Sequence, residues 1–453
     1  MKKLSWTDDP KRDILSYLPD PIRSHVVSYL PMKDAIRTKI LSRRWRKICT
    51  SLSNLEFCSR DFKNLLYFRN FVDKTLIFHD GSDVRKFGLS IDVDEELISA
   101  DHFNTWITFA VDHNVEDLRF TPWPKSKIER LPCCFFTCST LSVIYLRSLR
   151  NLKWPTLISF PNLKVLNLHG IVFRDENVSS KLFSDSACPL LERLSIFYCK
   201  FKGIHTLSIS FSTLKYLQLH CVEALNVNLS IPILSEFDYA CPLPPNISCE
   251  TLSSICQGSF EFDIPDSIAG ELALFNSVRK IFTGLHNVED LALFNGVIEV
   301  LNRDPILSAY LPSSYCSLKH LFFIITPTKS HIEVIACLLR TSPNLQTLGI
   351  RFEAENLTSS NIIHMHGYWE LNELPECLKH LKSAKLIDFG GRECEMDIVR
   401  RLLRLARNLE EVHIFYACEV GTDAVKRMKI SEKLSSFRRV SPHATIIFSM
   451  QEQ

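Results

Sequence analysis

The chain has 453 residues, 46% hydrophobic and 23% charged, with a formal net charge of +2. That balance is ordinary for a folded chain and fits two or three domains or one long repeat array. It carries no electrostatic footprint for nucleic acid or an anionic membrane surface. The opening Met1-Lys2-Lys3-Leu4-Ser5-Trp6 has no apolar run of signal-peptide length, and the conspicuous uncharged run 131–146 contains Pro132 and is too short for a membrane span. With no route to an oxidising compartment, the 16 cysteines read as reduced, mostly buried small hydrophobes. The N-x-S/T sequons at Asn177, Asn228, Asn246 and Asn356 then read as chance matches.

Helix punctuation dominates residues 18–46. Leu18-Pro19-Asp20 predicts a helix capped by Asp20 with Pro21 at its first position, where a missing amide proton costs nothing. Ile22, Val26, Val27 and Tyr29-Leu30 line one face, and Pro31 ends the helix. A short second segment spans Met32 to Ile40, and Ser42 caps a third helix carrying Trp45 and Ile48 among Arg43, Arg44, Arg46 and Lys47. Three helices of this size bury too little apolar surface to stand alone, so another surface completes them. LPDPIRSHVVSYLPMKDAIRTKILSRRWRKI resembles an F-box, departing at Cys49, where related plant sequences often carry a second tryptophan, and at His25. The resemblance implies docking on the Skp-type adaptor of a cullin–RING ubiquitin ligase. Leu18, Pro19, Asp20, Ile22, Val26, Val27, Leu30, Pro31, Leu41 and Trp45 are the expected adaptor-binding residues.

Beyond residue 60 the template L-x-x-L-x-L recurs with conservative replacements. It starts at Val115, Leu141, Leu163, Leu191, Leu214, Leu234, Val288, Leu318 and Leu345. Consecutive starts from 141 to 234 lie 22, 28, 23 and 20 residues apart and those from 288 to 345 lie 30 and 27 apart, against about 20–29 residues per leucine-rich repeat. The gap from 234 to 288 fits two units, with Phe260-x-Phe262 as a degenerate strand between them. Turns such as Pro161-Asn162-Leu163 and Pro343-Asn344-Leu345 deliver the chain into its strands. The pattern resembles the irregular leucine-rich arrays of plant F-box proteins. It predicts an α/β solenoid with a parallel sheet on the concave face and helices or loops on the convex face.

In such a repeat the template residues point inward and the intervening ones face outward on the concave side. The outward set includes Val165, Ser195, Glu236, Asp238, Asp290, Phe294 and Arg351. Asn167, His169, Arg193, Phe197, Tyr216, Gln218 and His220 mix aromatic, cationic and hydrogen-bonding groups, the mixture enriched at protein interfaces. They are the expected substrate-binding residues.

The last 80-odd residues read as two further strand–helix units. A proline-marked entry at Leu374-Pro375 leads to a strand Ala384–Phe389, a turn at Gly390-Gly391 and an amphipathic helix Glu393–Arg407. Its Ile398, Leu402, Leu405 and Ala406 face inward, and Leu409-x-x-Val412-x-Ile414 supplies the next strand. This segment, with its Arg439–Ala444 tail, resembles the FBD domain that follows the repeats in plant F-box proteins, and it is expected to cap the solenoid. The expected organisation is a tail at 1–12, an F-box at 13–57, a repeat array at 58–364 and the FBD segment at 365–453.

Active-site chemistry is absent from the pattern. Cys133, Cys134 and Cys138 lack a second pair at zinc spacing, and His364-Met365-His366 lacks a third ligand. No phosphate loop, nucleophile elbow or zincin motif occurs. No catalytic residue, metal or cofactor is therefore expected. The resemblance implies a noncatalytic substrate receptor whose partners are the Skp-type adaptor, through it the cullin–RING ligase, and a target protein. No nucleic acid or membrane is expected, and residence is in nucleus or cytoplasm. A scaffold with a degenerate F-box and an enzyme with an unrecognised site remain the readings from other classes.

Overall fold

The protein is described by a computed structural model over residues 18–92, 98–124, 128–262, 268–303, 315–326, 329–353 and 378–450. It forms two units, each built on a parallel sheet: one runs to Phe173 and includes Ser186–Leu191, and the other comprises Arg174–Asp185 and the chain from Glu192 onward. The Leu374-Pro375 entry, the His364-Met365-His366 alternation and the tail at 1–12 lie outside the described residues.

The first unit opens with helices α1 (Asp20–Ser28), α2 (Met32–Arg37) and α3 (Arg43–Thr50), with a single 3-10 turn at Thr38–Ile40 before α3. Asp20 does not cap α1, contrary to the sequence expectation. Pro19 occupies the cap position with no side-chain bond, and the helix starts at Asp20 itself. The carboxylate instead accepts a 2.9 Å bond from Arg44 Nε and lies 3.2 Å from Arg23 Nη2, tying α1 to α3. Ser42 does cap α3, accepting from Trp45 N at 3.3 Å. Between the helices Val27, Met32, Ala35, Trp45, Ile48 and Cys49 are buried. Arg23 is buried with them, donating to Leu18 O at 2.8 Å and lying 5.7 Å over the Trp45 ring. The Cys49 thiol donates to Ala35 O at 3.2 Å, which anchors this small side chain between the helices.

Five parallel strands follow: β1 (Asn54–Cys58), β2 (Lys86–Ser90), β3 (Asp117–Thr121), β4 (Val143–Arg147) and β5 (Val165–His169), with helices α4 (Leu65–Ile77) and α5 (Ala100–Asp112) between the first three. Leu55, Phe87, Leu118, Ile144 and Leu166 stand in one register row and are buried. β1 and β2 extend the array before Val115. Their residues Leu52-x-x-Leu55-x-Phe57 and Val84-x-x-Phe87-x-Leu89 obey the same template.

In the second unit the chain runs α6 (Glu176–Leu182), β6 (Arg193–Phe201), β7 (Thr206–Ser210), β8 (Tyr216–Cys221), β9 (Asn226–Ser230), β10 (Glu236–Ala240), β11 (Asn246–Ile247) and α7 (Cys249–Ser254). It continues through β12 (Gln257–Glu261), α8 (Ile268–Gly284), β13 (Asp290–Phe294), α9 (Asn295–Arg303), β14 (His320–Ile325), α10 (Lys329–Arg340) and β15 (Thr347–Phe352). β16 (Ser383–Phe389), α11 (Glu393–Leu405), β17 (Glu411–Tyr416), α12 (Ala424–Ser435) and β18 (Thr445–Met450) complete it. β6, β8, β10 and β12–β18 form one parallel sheet in chain order. The degenerate strand expected near Phe260 is β12, with Phe260 in register with Tyr239 and Leu293.

β7, β9 and β11 form a second, three-stranded parallel sheet that the template did not foretell. Its cause is length. Residues 202–215 and 222–235, 14 in each case, separate β6 from β8 and β8 from β10, and the turns at either end leave room for a five-residue strand or for little more than one helical turn. Where the templates lie farther apart, α9 and α10 make the return. The asparagines entering the strands bind adjacent repeats together. Asn162 Nδ2 donates to Ser139 O at 2.8 Å, Asn287 to Ser253 O at 2.7 Å, Asn344 to Cys316 O at 2.8 Å and Asn408 to Lys379 O at 2.7 Å, each gripping a carbonyl of the preceding repeat.

Candidate functional site

Two surfaces emerge from these elements. The first is the outer side of the three helices. Because α1 turns Val27 and Arg23 inward, its neighbours Ile22, Val26, Tyr29 and Leu30 are left in solvent, joined by Ile40 and Leu41 from the turn before α3. Pro19 and Pro31 are also exposed, and Leu18 is half-buried. The ten residues singled out from the sequence thus divide. Val27 and Trp45 are interior and hold the helices together, because each lies on the face its helix turns to the others. Asp20 makes the α1–α3 ion pair, and the apolar remainder is free to meet another surface. Tyr29 and Ile40 were not singled out; the signal for them was their place beside Val26 and Leu41 on the same apolar stretch.

The second surface is the outward row of each sheet. Asn167 and His169 stand half-buried on β5 in the first unit, in register with Tyr145 and Arg147. Burial and then the nearby Arg147 charge hold the His169 imidazole below its usual pKa. In the second unit the remaining expected residues come together. The Arg193 guanidinium lies 4.1 Å over the Tyr216 ring, and Tyr216 Oη donates to Gln218 Oε1 at 2.8 Å. Gln218 Nε2 donates to Asp238 Oδ2 at 2.6 Å, His220 Nε2 lies 3.0 Å from the same oxygen, and Phe197 meets the His220 ring edge-on at 4.9 Å. Asp238 is the hub of this set, although the sequence placed it only among the outward positions. Burial pushes its carboxyl up, but the His220 bond and charge with the Gln218 and Ser259 bonds outweigh burial and leave it below the usual range. Burial, then Asp238, raises the Tyr216 phenol.

Beside this network the concave face forms an open trough of about 740 Å³ over β8 to β16. Its rim carries Glu236, Asp238, Asp290, His320 and Lys385. Gly349 makes room for the Phe322 ring, since a Cβ there would sit 2.2 Å from Phe322 Cδ2. Among the described residues no group of three His, Cys, Asp or Glu side chains could hold a metal ion. Burial pushes the buried Cys188 thiol up to about 12 and, as the largest cause, the half-buried Cys394 thiol up to about 11.

The fold and its two surfaces define an F-box protein with leucine-rich repeats. Residues 15–57 match the F-box domain, and residues 75–441 match the family described as At1g61320/AtMIF1, LRR domain. The chain belongs to that family. It is similar to the Arabidopsis thaliana F-box/LRR-repeat protein At3g59210, with 26% identity over 92% of this chain and 91% of the relative. Similar too are F-box/FBD/LRR-repeat protein At5g56420 (24% identity, 96% of this chain and 99% of the relative) and F-box/LRR-repeat protein 13 (25%, 96% of each), both from Arabidopsis thaliana.

Proposed function

We propose that the protein is a noncatalytic substrate receptor of a Skp–cullin–F-box ubiquitin ligase. The observation that carries the reading is the apolar set Ile22, Val26, Tyr29, Leu30, Ile40 and Leu41, left in solvent by helices whose interior is already filled by Val27, Trp45 and Ile48. An apolar patch of this kind marks an interaction surface, and the F-box match gives it the Skp-type adaptor as partner. The target protein docks on the concave face of the second unit, where Arg193, Phe197, Tyr216, Gln218 and His220 form a connected set around Asp238. The receptor contributes proximity, raising the local concentration of target lysines beside a charged conjugating enzyme. No cofactor, nucleic acid or membrane enters this role, and it operates in nucleus or cytoplasm. Among the described residues no helix is long and apolar enough to cross a membrane.

The test is affinity capture of the full chain from plant cells with cullin activity blocked. Stoichiometric adaptor and cullin, with a target that accumulates, are expected. A folded chain that captures neither adaptor nor cullin would instead favour a non-degradative scaffold.

A further inference from the structure

Among the described residues the second unit's sheet ends on β18, which pairs on one side only, with β17. Thr445 N donates to Glu410 O at 2.9 Å, so Thr445, Ile447 and Ser449 turn their backbone groups toward β17. Strand alternation then turns the N–H and C=O groups of Ile446, Phe448 and Met450 to the open edge. Proteins protect such edges with charges, proline, bulges or very short strands. β18 has none of these. Thr445-Ile446-Ile447-Phe448-Ser449-Met450 is six residues without charge or proline and rich in β-branched and aromatic side chains. Ile446 and Phe448, at the inward positions, are only half-buried, whereas the corresponding Val412 and Ile414 of β17 are fully buried.

Charge says what would cover it. Residues 423–450 hold six Lys or Arg against Asp423 and Glu432, in a chain whose total is only +2. Two of those cations bracket the strand. Arg439 Nη1 donates to Ala444 O at 2.6 Å, just before β18, and Arg427 Nη1 lies 3.3 Å from Met450 Sδ at its far end. Lys426, Lys429 and Arg438, in the same stretch of chain, are exposed. A second copy of the chain pairing edge to edge would set this positive cluster against itself, which costs rather than gains. An extended segment with acidic flanks meets both features, its backbone completing the ladder and its carboxylates reaching the two arginines.

We propose that the open edge of β18 is a docking site for an extended segment of a partner protein, about six residues long and flanked by Asp or Glu, which joins the sheet as a further strand. The site uses none of the residues assigned to the adaptor or the target in the receptor reading.

The probe is a fluorescein-labelled peptide of alternating Thr and Val flanked by glutamates, titrated against the full chain by anisotropy. Binding is expected to be about tenfold tighter than for a lysine-flanked counterpart and to weaken about tenfold on N-methylation of alternate peptide amides. The Arg427→Glu, Arg439→Glu double variant, with unchanged thermal unfolding, should reverse the preference between the two peptides. Hydrogen exchange should slow at Ile446 and Phe448 when the acidic peptide is added. Equal binding of the N-methylated peptide, unchanged exchange at those amides, tighter binding of an oligothymidylate than of the peptide, or a dimer through this edge at micromolar concentration would each overturn the proposal.

Discussion

Truncating Ile22 and Leu41 to alanine separates adaptor docking from the internal packing of the helices. Ile22 keeps 48% of its exposure and Leu41 56%, so covering both removes roughly one whole aliphatic side chain from water. That burial is worth about 1.5–3 kcal/mol, or roughly a 10- to 150-fold loss in affinity when both side chains are cut back. Neither residue packs inside the chain, so stability should move by no more than about 0.5 kcal/mol. Trp45 is 2% exposed, and Trp45→Ala should cost about 3–5 kcal/mol and melt the three helices. The assay is calorimetric titration of purified adaptor into each variant, with circular dichroism and chemical unfolding alongside. A folded Ile22→Ala, Leu41→Ala chain that binds adaptor within twofold of the native one would refute the assignment of this surface. A variant that melts as Trp45→Ala does would place both residues in the core instead.

Replacing Phe197 and Tyr216 by alanine should leave adaptor titration unchanged and lengthen the target's half-life in a cycloheximide chase; unchanged turnover would move the target site elsewhere. Asn344→Ala removes the tie to Cys316 O and should lower stability by about 0.5–1.5 kcal/mol in urea unfolding. Because the folded Asp238 carboxyl lies below its usual range, its contribution is present above the ordinary aspartate value of about 3.9 and is lost as pH falls through the folded value. The stability gap between the native chain and Asp238→Asn should therefore be constant near pH 5 and shrink below pH ~4. Gly349→Ala should destabilise by about 1–3 kcal/mol by displacing the Phe322 ring. In the Phe322→Ala background the same change should cost much less, and additive effects of the two would count against that contact.

The inward leucines made the repeats legible because each obeys a rule local to six residues. The same locality explains what escaped. Leu52, Leu55 and Phe57 fit the template but follow directly on the helical motif, so the first strand of the sheet reads as the end of that motif. Asp20 has the chemistry of a cap, yet the helix begins one residue early, and Arg44, 24 residues downstream, claims its carboxylate. The hub role of Asp238 depends on side chains reaching across from β8, 18 and 20 residues earlier. No periodicity within one strand encodes that reach. The second sheet follows from how few residues separate two templates, a quantity visible in the spacings but silent about which element fills the gap.

The asparagine ties give the array a direction. In each of the four a side-chain amide of the later repeat grips a main-chain oxygen of the earlier one. Removing the later repeat leaves behind a carbonyl that water satisfies readily. Removing the earlier one strands an amide positioned for a partner that no longer exists, along with the turn it was shaping. Shortening from the C-terminal side should thus be gentler than shortening from the N-terminal side. A lineage that lengthens or trims this solenoid would find its easiest route by editing repeats from the far end backward, toward the helices that must stay.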